Sequence, residues 1–195
     1  MTTNYPSMNL RDVLYGRRSV RTYTSEKLDK TTIEVLLDAA VHAPTAVHEE
    51  PWQFVVIQDK SLLNRLSDRA KKLVAEEIQK NPTDQGKHLL AIVSNPEFNI
   101  FYDASTLIAI AVKPMSAFVT ADAWLAAENM LLAAYGLGLG SCVIGFGVSV
   151  LNTAETKKEL GIPAEMLVVA PMIFGKPRGE TPLSPRKKAE VIVWK

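Results

Sequence analysis

Residues 116–137 read SAFVTADAWLAAENMLLAAYGL, and residues 138–147 continue GLGSCVIGFG. The first stretch carries only Asp122 and Glu128 as charges and is rich in Ala and Leu, with Met130 among them, so it predicts a long helix. A helix apolar almost all round is buried on most sides, which makes it a central core helix or a subunit interface. The glycines at 136, 138 and 140 then predict a helix end and a tight turn into a short strand, Ser141–Ile144. The uncharged run from Asn129 to Ala154 matches a bilayer span in length, but its glycines and polar residues break it into helix, turn and strand.

The flanking chain alternates helices and strands. A short helix is predicted over 9–17, with Leu10, Val13 and Leu14 on one face. Asp29 is placed to cap a helix carrying Ile33, Leu36, Leu37 and Ala40 at helical spacing, stopped by Pro44. Trp52–Ile57 predicts a buried strand. Asp59 caps a charged amphipathic helix to about Lys80, and a further helix fits 84–94. Thr106–Val112 and Met166–Phe174 are continuous apolar strands, with a helix from Val150 to Leu160 between them. Ala189–Trp194 is strand-like and follows a Pro-rich arm that can reach a neighbouring subunit as easily as its own sheet. The class expected is α/β or α+β in three layers.

Composition narrows the functions open to the chain. Its 195 residues suit one compact domain, with 47% hydrophobic and 22% charged residues. Twenty-two Lys and Arg against 21 Asp and Glu leave a net charge of +1, so no dominant footprint for nucleic acid or an anionic membrane is expected. The lone Cys142 excludes an internal disulfide. The opening MTTNYPSMNLRD lacks the layout of a signal peptide. A cytoplasmic location is the expectation.

Familiar catalytic motifs are missing. Gly136-Leu-Gly-Leu-Gly140 follows a helix, whereas a dinucleotide fingerprint follows a strand and opens a helix. The chain holds no Walker A, HExxH or GxSxG sequence. His48-Glu49-Glu50 has no second His or Cys at ligand spacing, so no metal site is expected. Cys142 lies in an apolar strand and reads as an inert thiol. Arg17-Arg18-Ser19-Val20-Arg21 has two readings. It can complement a helix C-terminus, or two guanidiniums and a hydroxyl can grip an oxyanion. A second basic cluster, Arg186-Lys187-Lys188, follows the arm, and the two clusters could converge on one anionic group.

Taken together, four stretches resemble the nitroreductase family of FMN-dependent oxidoreductases. They are Arg17–Arg21 with the following Thr-Tyr, then Ala43–Phe54 (APTAVHEEPWQF), Asp122–Phe146, and Val168–Arg186, in family order over nearly the whole chain. The resemblance implies a central mixed sheet flanked by helices in an intertwined homodimer. It implies one FMN-binding domain over 1–195, with the arm 176–195 crossing to the partner. Two FMN molecules would lie at the dimer interface. Arg17, Ser19 and Arg186 would hold the phosphate and ribityl region, with Arg18 adjacent. Arg21 would sit near the N1/C2 edge of the flavin ring. Pro44, Thr45 and Ala46 would pack on the ring from the other subunit, with His48 in the same loop. Ile144 and Gly145 would lie near N5, the Gly145 N–H facing it.

The chemistry implied is hydride transfer from NADH or NADPH, through flavin N5, to a small acceptor such as a nitroaromatic or quinone. No nucleophile or metal is needed, because the cofactor carries the reaction. A flavin storage, sensing or delivery protein with poor turnover is the alternative. A specialised branch, such as reductive dehalogenation or oxidative flavin cleavage, is a third. The chain departs from the family pattern at His48 (usually Asn), Glu50 (usually Gln) and Val143 (usually aromatic), and is short between Asp59 and Ser105.

Overall fold

A computed structural model describes residues 8–195; the reading of the first residues as lacking a leader falls largely outside them. The helices are α1 (Leu10–Gly16), α2 (Lys30–Val41), α3 (Lys60–Lys80), α4 (Asp84–Val93), α5 (Val119–Gly136), α6 (Phe146–Leu151) and α7 (Ala154–Leu160). The strands are β1 (Trp52–Ile57), β2 (Thr106–Val112), β3 (Gly140–Val143) and β4 (Leu167–Gly175). Local chemistry sets most of these boundaries. Asp29 and Asp59 accept from the backbone N–H groups of Thr32 and Leu62 at 2.7 and 2.9 Å, capping α2 and α3.

The helix α5 ends in a Schellman arrangement. The Leu139 N–H donates to the Ala134 carbonyl at 2.8 Å and the Gly138 N–H to the Tyr135 carbonyl at 2.9 Å. Gly138 has φ 71°, a conformation in which glycine alone avoids a Cβ penalty. Gly140 is required for a different reason: a Cβ there would lie 2.8 Å from Val20 Cγ1.

The four strands form one sheet in the order β1-β2-β4-β3, and every ladder is antiparallel. The expected mixed sheet is therefore corrected. Among the described residues the one parallel pairing is the isolated bridge between Ser19 and Ser141. The class is α+β. One face of the sheet packs α2 and α5 through Ile108, Ile110, Met172 and Phe174. The other packs α3 and α6 through Leu107, Ala109, Ile173 and Leu151. The three expected layers are present.

Three local expectations change. The strand β1 is an edge strand, so only Trp52 and Ile57 are buried along it. The helix expected from Val150 to Leu160 is two, because Asn152 turns its side chain onto β4 and Thr153 caps a new helix. Ala189–Trp194 forms no strand and is exposed. A strand needs an edge to pair with, and this segment meets none in its own chain. No helix among the described residues is long and apolar enough to cross a membrane.

Candidate flavin site

The chain leaving α1 runs directly into the first basic cluster. Gly16 packs so closely on Tyr135 of α5 that a Cβ would overlap the phenol. Arg17 follows, with Nε 3.7 Å from Glu128 Oε1. Arg18 turns Nη1 back onto the carbonyls of Tyr15 and Arg17, both at 2.7 Å. Its Nε is buried and has no partner, and Ser141 Oγ shares that condition. Both residues wall a cleft of about 410 Å³ together with Arg17, Gly138 and Leu139. Buried polar atoms without partners are uncommon and call for a ligand or water.

The two basic clusters do converge. Arg186, from the C-terminal arm, shares the wall of a second cleft with Arg18, Ser19 and Arg21. Arg21 also borders a third cleft, of about 250 Å³, lined by Ile100, Tyr102, Cys142, Ile144, Gly145 and Phe146. Arg21 thus links an arginine-rich region to an apolar one. Its Nη1 donates to the Ser19 carbonyl at 3.4 Å, and its Cζ lies 5.8 Å from the centroid of the Tyr102 ring. Burial raises the Cys142 pKa, against the pull of Arg21, a hydrogen bond with Ser19, and Arg17. The shift disfavours the thiolate, which is the reactive form of the side chain. Burial likewise pushes the Tyr23 phenol far up, and its Oη donates to the Val20 carbonyl at 2.7 Å.

The Pro44–His48 loop lies elsewhere. The Ala46 N–H donates to the buried Asp122 carboxylate in the first turn of α5, at 3.2 Å. Arg18 and Ser19 sit by Tyr135–Ser141, at the other end of the helix. At 1.5 Å per residue those ends are roughly 20 Å apart. One chain therefore does not bring Pro44, Thr45, Ala46 or His48 to its own arginine cleft. His48 is exposed, and Val47, His48 and Glu50 all have positive φ. Glu49 holds the loop from its other side by accepting from Ser116 Oγ at 2.9 Å.

Asp122 and Tyr102 escape a sequence reading. Asp122 looks like one of two charges on an apolar helix, but it is buried and anchors the loop. Tyr102 is one aromatic residue in an irregular segment, and nothing local marks its neighbour in space.

The family model described as "Nitroreductase family" matches residues 14–176. The chain belongs to the nitroreductase family. It is therefore a flavin oxidoreductase of that family. A protein of Archaeoglobus fulgidus, provisionally named NADH dehydrogenase/NAD(P)H nitroreductase, is 28% identical over 173 residues, 86% of this chain and 85% of its own. An iodotyrosine deiodinase of Thermotoga neapolitana is 25% identical over 187 residues, covering 94% of this chain and 96% of its own. Among solved structures, a nitroreductase with bound FMN from Bacteroides fragilis is 25% identical with a TM-score of 0.80, covering 96% of this chain and 98% of that one.

Proposed function

We propose that this nitroreductase-family chain binds FMN as a homodimer and passes hydride from NADH or NADPH to a small acceptor such as a nitroaromatic or quinone. The observation that carries this reading is the meeting of Arg18, Ser19, Arg21 and Arg186 on one cleft, with Arg21 also bordering the separate cleft of Ile144 and Gly145. The donor set fits FMN, whose phosphate needs cations and hydroxyls and whose ring needs a flat apolar slot. The unpartnered Nε of Arg18, which borders this cleft, supports the same fit. FMN, when bound, supplies the two-electron chemistry.

The protein's part is to bind, orient and charge-balance. Arg17, Arg18, Ser19 and Arg186 would hold the phosphate and ribityl region. Arg21 would supply positive charge near the N1/C2 edge, which favours the reduced cofactor. Gly145, at the start of α6, is free to offer its N–H to N5, since its backbone makes no donor contact among the described residues. Pro44, Thr45, Ala46 and His48 would come from the second copy, which explains why they lie far from the arginines of their own chain.

Exposed apolar residues support the dimer: Leu10, Leu14 and Tyr15 on α1, Trp124 and Leu125 on α5, and Val191, Ile192 and Trp194 in the arm. Solvent is a poor environment for so much apolar surface, and a second copy would cover it. The chain 1–195 is then one FMN-binding domain; of the arm 176–195, the part as far as Arg186 lies on its own chain, and the exposed end beyond it would cross to the partner. The likeness to an iodotyrosine deiodinase bound to FMN and 3-iodo-L-tyrosine favours a halogenated aromatic as the second acceptor class.

The test is the visible spectrum of purified protein, then anaerobic addition of NADH or NADPH, then a panel of nitroaromatic, quinone and iodoaromatic acceptors. Flavin bands that bleach on nicotinamide addition and return with an acceptor are expected. Bands that do not bleach favour the storage, sensing or delivery alternative. A colourless protein that takes up no added FMN overturns the proposal.

A further inference from the structure

The segment leading into β2 holds a strained turn beside Arg21. Tyr102 and Asp103 have φ of 51° and 54°, the left-handed region that bulky side chains avoid. The segment is pinned around this strain. The Tyr102 N–H donates to the Asn99 carbonyl at 2.9 Å, and the Phe101 N–H donates to the Asn99 side chain at 2.8 Å. Asn99 Nδ2 donates to Asn64 Oδ1 on α3 at 2.9 Å, and the Ile100 N–H to the buried Ser67 Oγ at 3.0 Å. Ile100 and Phe101 are core residues. Strain kept in place by several independent bonds is a feature of positions with a functional task.

The product of this turn is the placement of one aromatic ring. The Tyr102 ring lies with its centroid 5.8 Å from Arg21 Cζ, within cation–π range. Phe98 meets it edge-on, at 5.7 Å and 80°. Arg21 makes no ion pair among the described residues, whereas Arg17 has Glu128. The difference has an electrostatic consequence. A carboxylate would hold a guanidinium and cancel its charge, but an aromatic ring holds it and leaves the charge intact. Tyr102 and Arg21 border the same cleft as Ile144 and Gly145.

We propose that Tyr102 is a positioning residue: its ring holds Arg21 at the cleft wall without neutralising it, preserving a fixed cation for the negative charge that a bound flavin gains on reduction. This rests on the flavin reading above and names a residue through which the site is tuned. Tyr102 acts through Arg21, not on the cofactor directly.

The test uses Tyr102→Leu, Tyr102→Phe, Arg21→Gln and the double variant Tyr102→Leu/Arg21→Gln. Two quantities are read. One is the order of the Arg21 Nε–Hε group by ¹⁵N relaxation, which needs no flavin. The other is the ratio of FMN affinities in the reduced and oxidised states, from the midpoint potential. Tyr102→Leu should lower the Arg21 order and reduce the preference for reduced FMN by about 2- to 5-fold, the scale of one exposed cation–π contact. Tyr102→Phe should restore both. In the Arg21→Gln background, Tyr102→Leu should change the ratio no further. Unchanged Arg21 order and ratio in Tyr102→Leu overturn the proposal, as does a ratio change that persists without Arg21. Should Tyr102→Leu fail to fold, Tyr102→Ser enters the same comparison. Wild-type protein that takes up no FMN overturns the flavin reading instead, and the Arg21 order then decides whether Tyr102 holds it.

Discussion

The Ala46 N–H donates to the buried Asp122 carboxylate at 3.2 Å, so the Pro44–His48 loop hangs from the first turn of α5. The other carboxylate oxygen is buried and has no partner. The loop's own backbone is unfavourable, with Val47 and His48 at φ 45° and 58°. An outside anchor is what such a loop requires.

Asp122→Ala should therefore destabilise the protein by about 1–3 kcal/mol, since it leaves the Ala46 N–H without its acceptor. Urea unfolding checks the size. If the loop completes a second subunit's site, the same variant should also release FMN faster than wild type, followed by flavin fluorescence after dilution.

Arg17 and Arg21, the outer two of the three arginines in the first cluster, should fail differently. Arg17→Ala should weaken FMN retention by about ten-fold or more, on the scale of roughly 1.5–3 kcal/mol for a hydrogen bond to a charged group. Arg21→Ala should chiefly lower the flavin midpoint potential and slow reduction by NAD(P)H. Dissociation constants and potentials measured on both variants separate the roles. Identical phenotypes would mean that the assignment of phosphate and ring edge is wrong.

The exposed apolar faces give a prediction about assembly. Light scattering should return twice the 21.5 kDa chain mass. Trp124→Glu, on the outward face of α5, should shift the protein toward monomer and lower its FMN content together. A monomer that retains full flavin would refute the shared site.

Acid should weaken the helix caps. The backbone N–H of Thr32 lowers the Asp29 pKa, and that of Leu62 lowers the Asp59 pKa, each below the ordinary value of 3.8. A carboxyl with a lowered folded-state pKa stabilises above its unfolded value and loses that contribution as pH falls through the folded one. The loss is thus expected below about pH 4. Asp29→Asn/Asp59→Asn keeps cap acceptors but removes the titration. Its urea midpoint should vary less with pH between about 5 and 3 than that of wild type.

The family resemblance leads to the expectation of Asn where His48 stands in the loop. If the loop reaches a second subunit's flavin, His48→Ala should weaken FMN binding by about 2- to 10-fold, the scale of one lost hydrogen bond, read from the dissociation constant. An unchanged constant would make His48 a bystander.

Much of the architecture was readable from residue order, because it rests on short-range energetics. Asp29 and Asp59 cap helices by bonding backbone three residues away, and Thr106–Val112 is apolar on both faces because both faces of the sheet are covered. Gly138 ends α5 because its φ of 71° suits a residue with no Cβ. Four motifs in order were enough to place the chain in its family. Other features depend on partners distant in sequence. The half-exposed β1 follows from its place at the sheet edge, and the unpaired Ala189–Trp194 from the lack of an edge to join. Arg186 reaches the Arg18–Arg21 cleft only through the path of the arm. Asp122 meets Ala46, and Tyr102 meets Arg21, across 76 and 81 positions. Capping and periodicity are paid for within a few residues of chain and leave their mark there; contacts closed over long loops depend on the packed sheet and helices, and no local pattern records them.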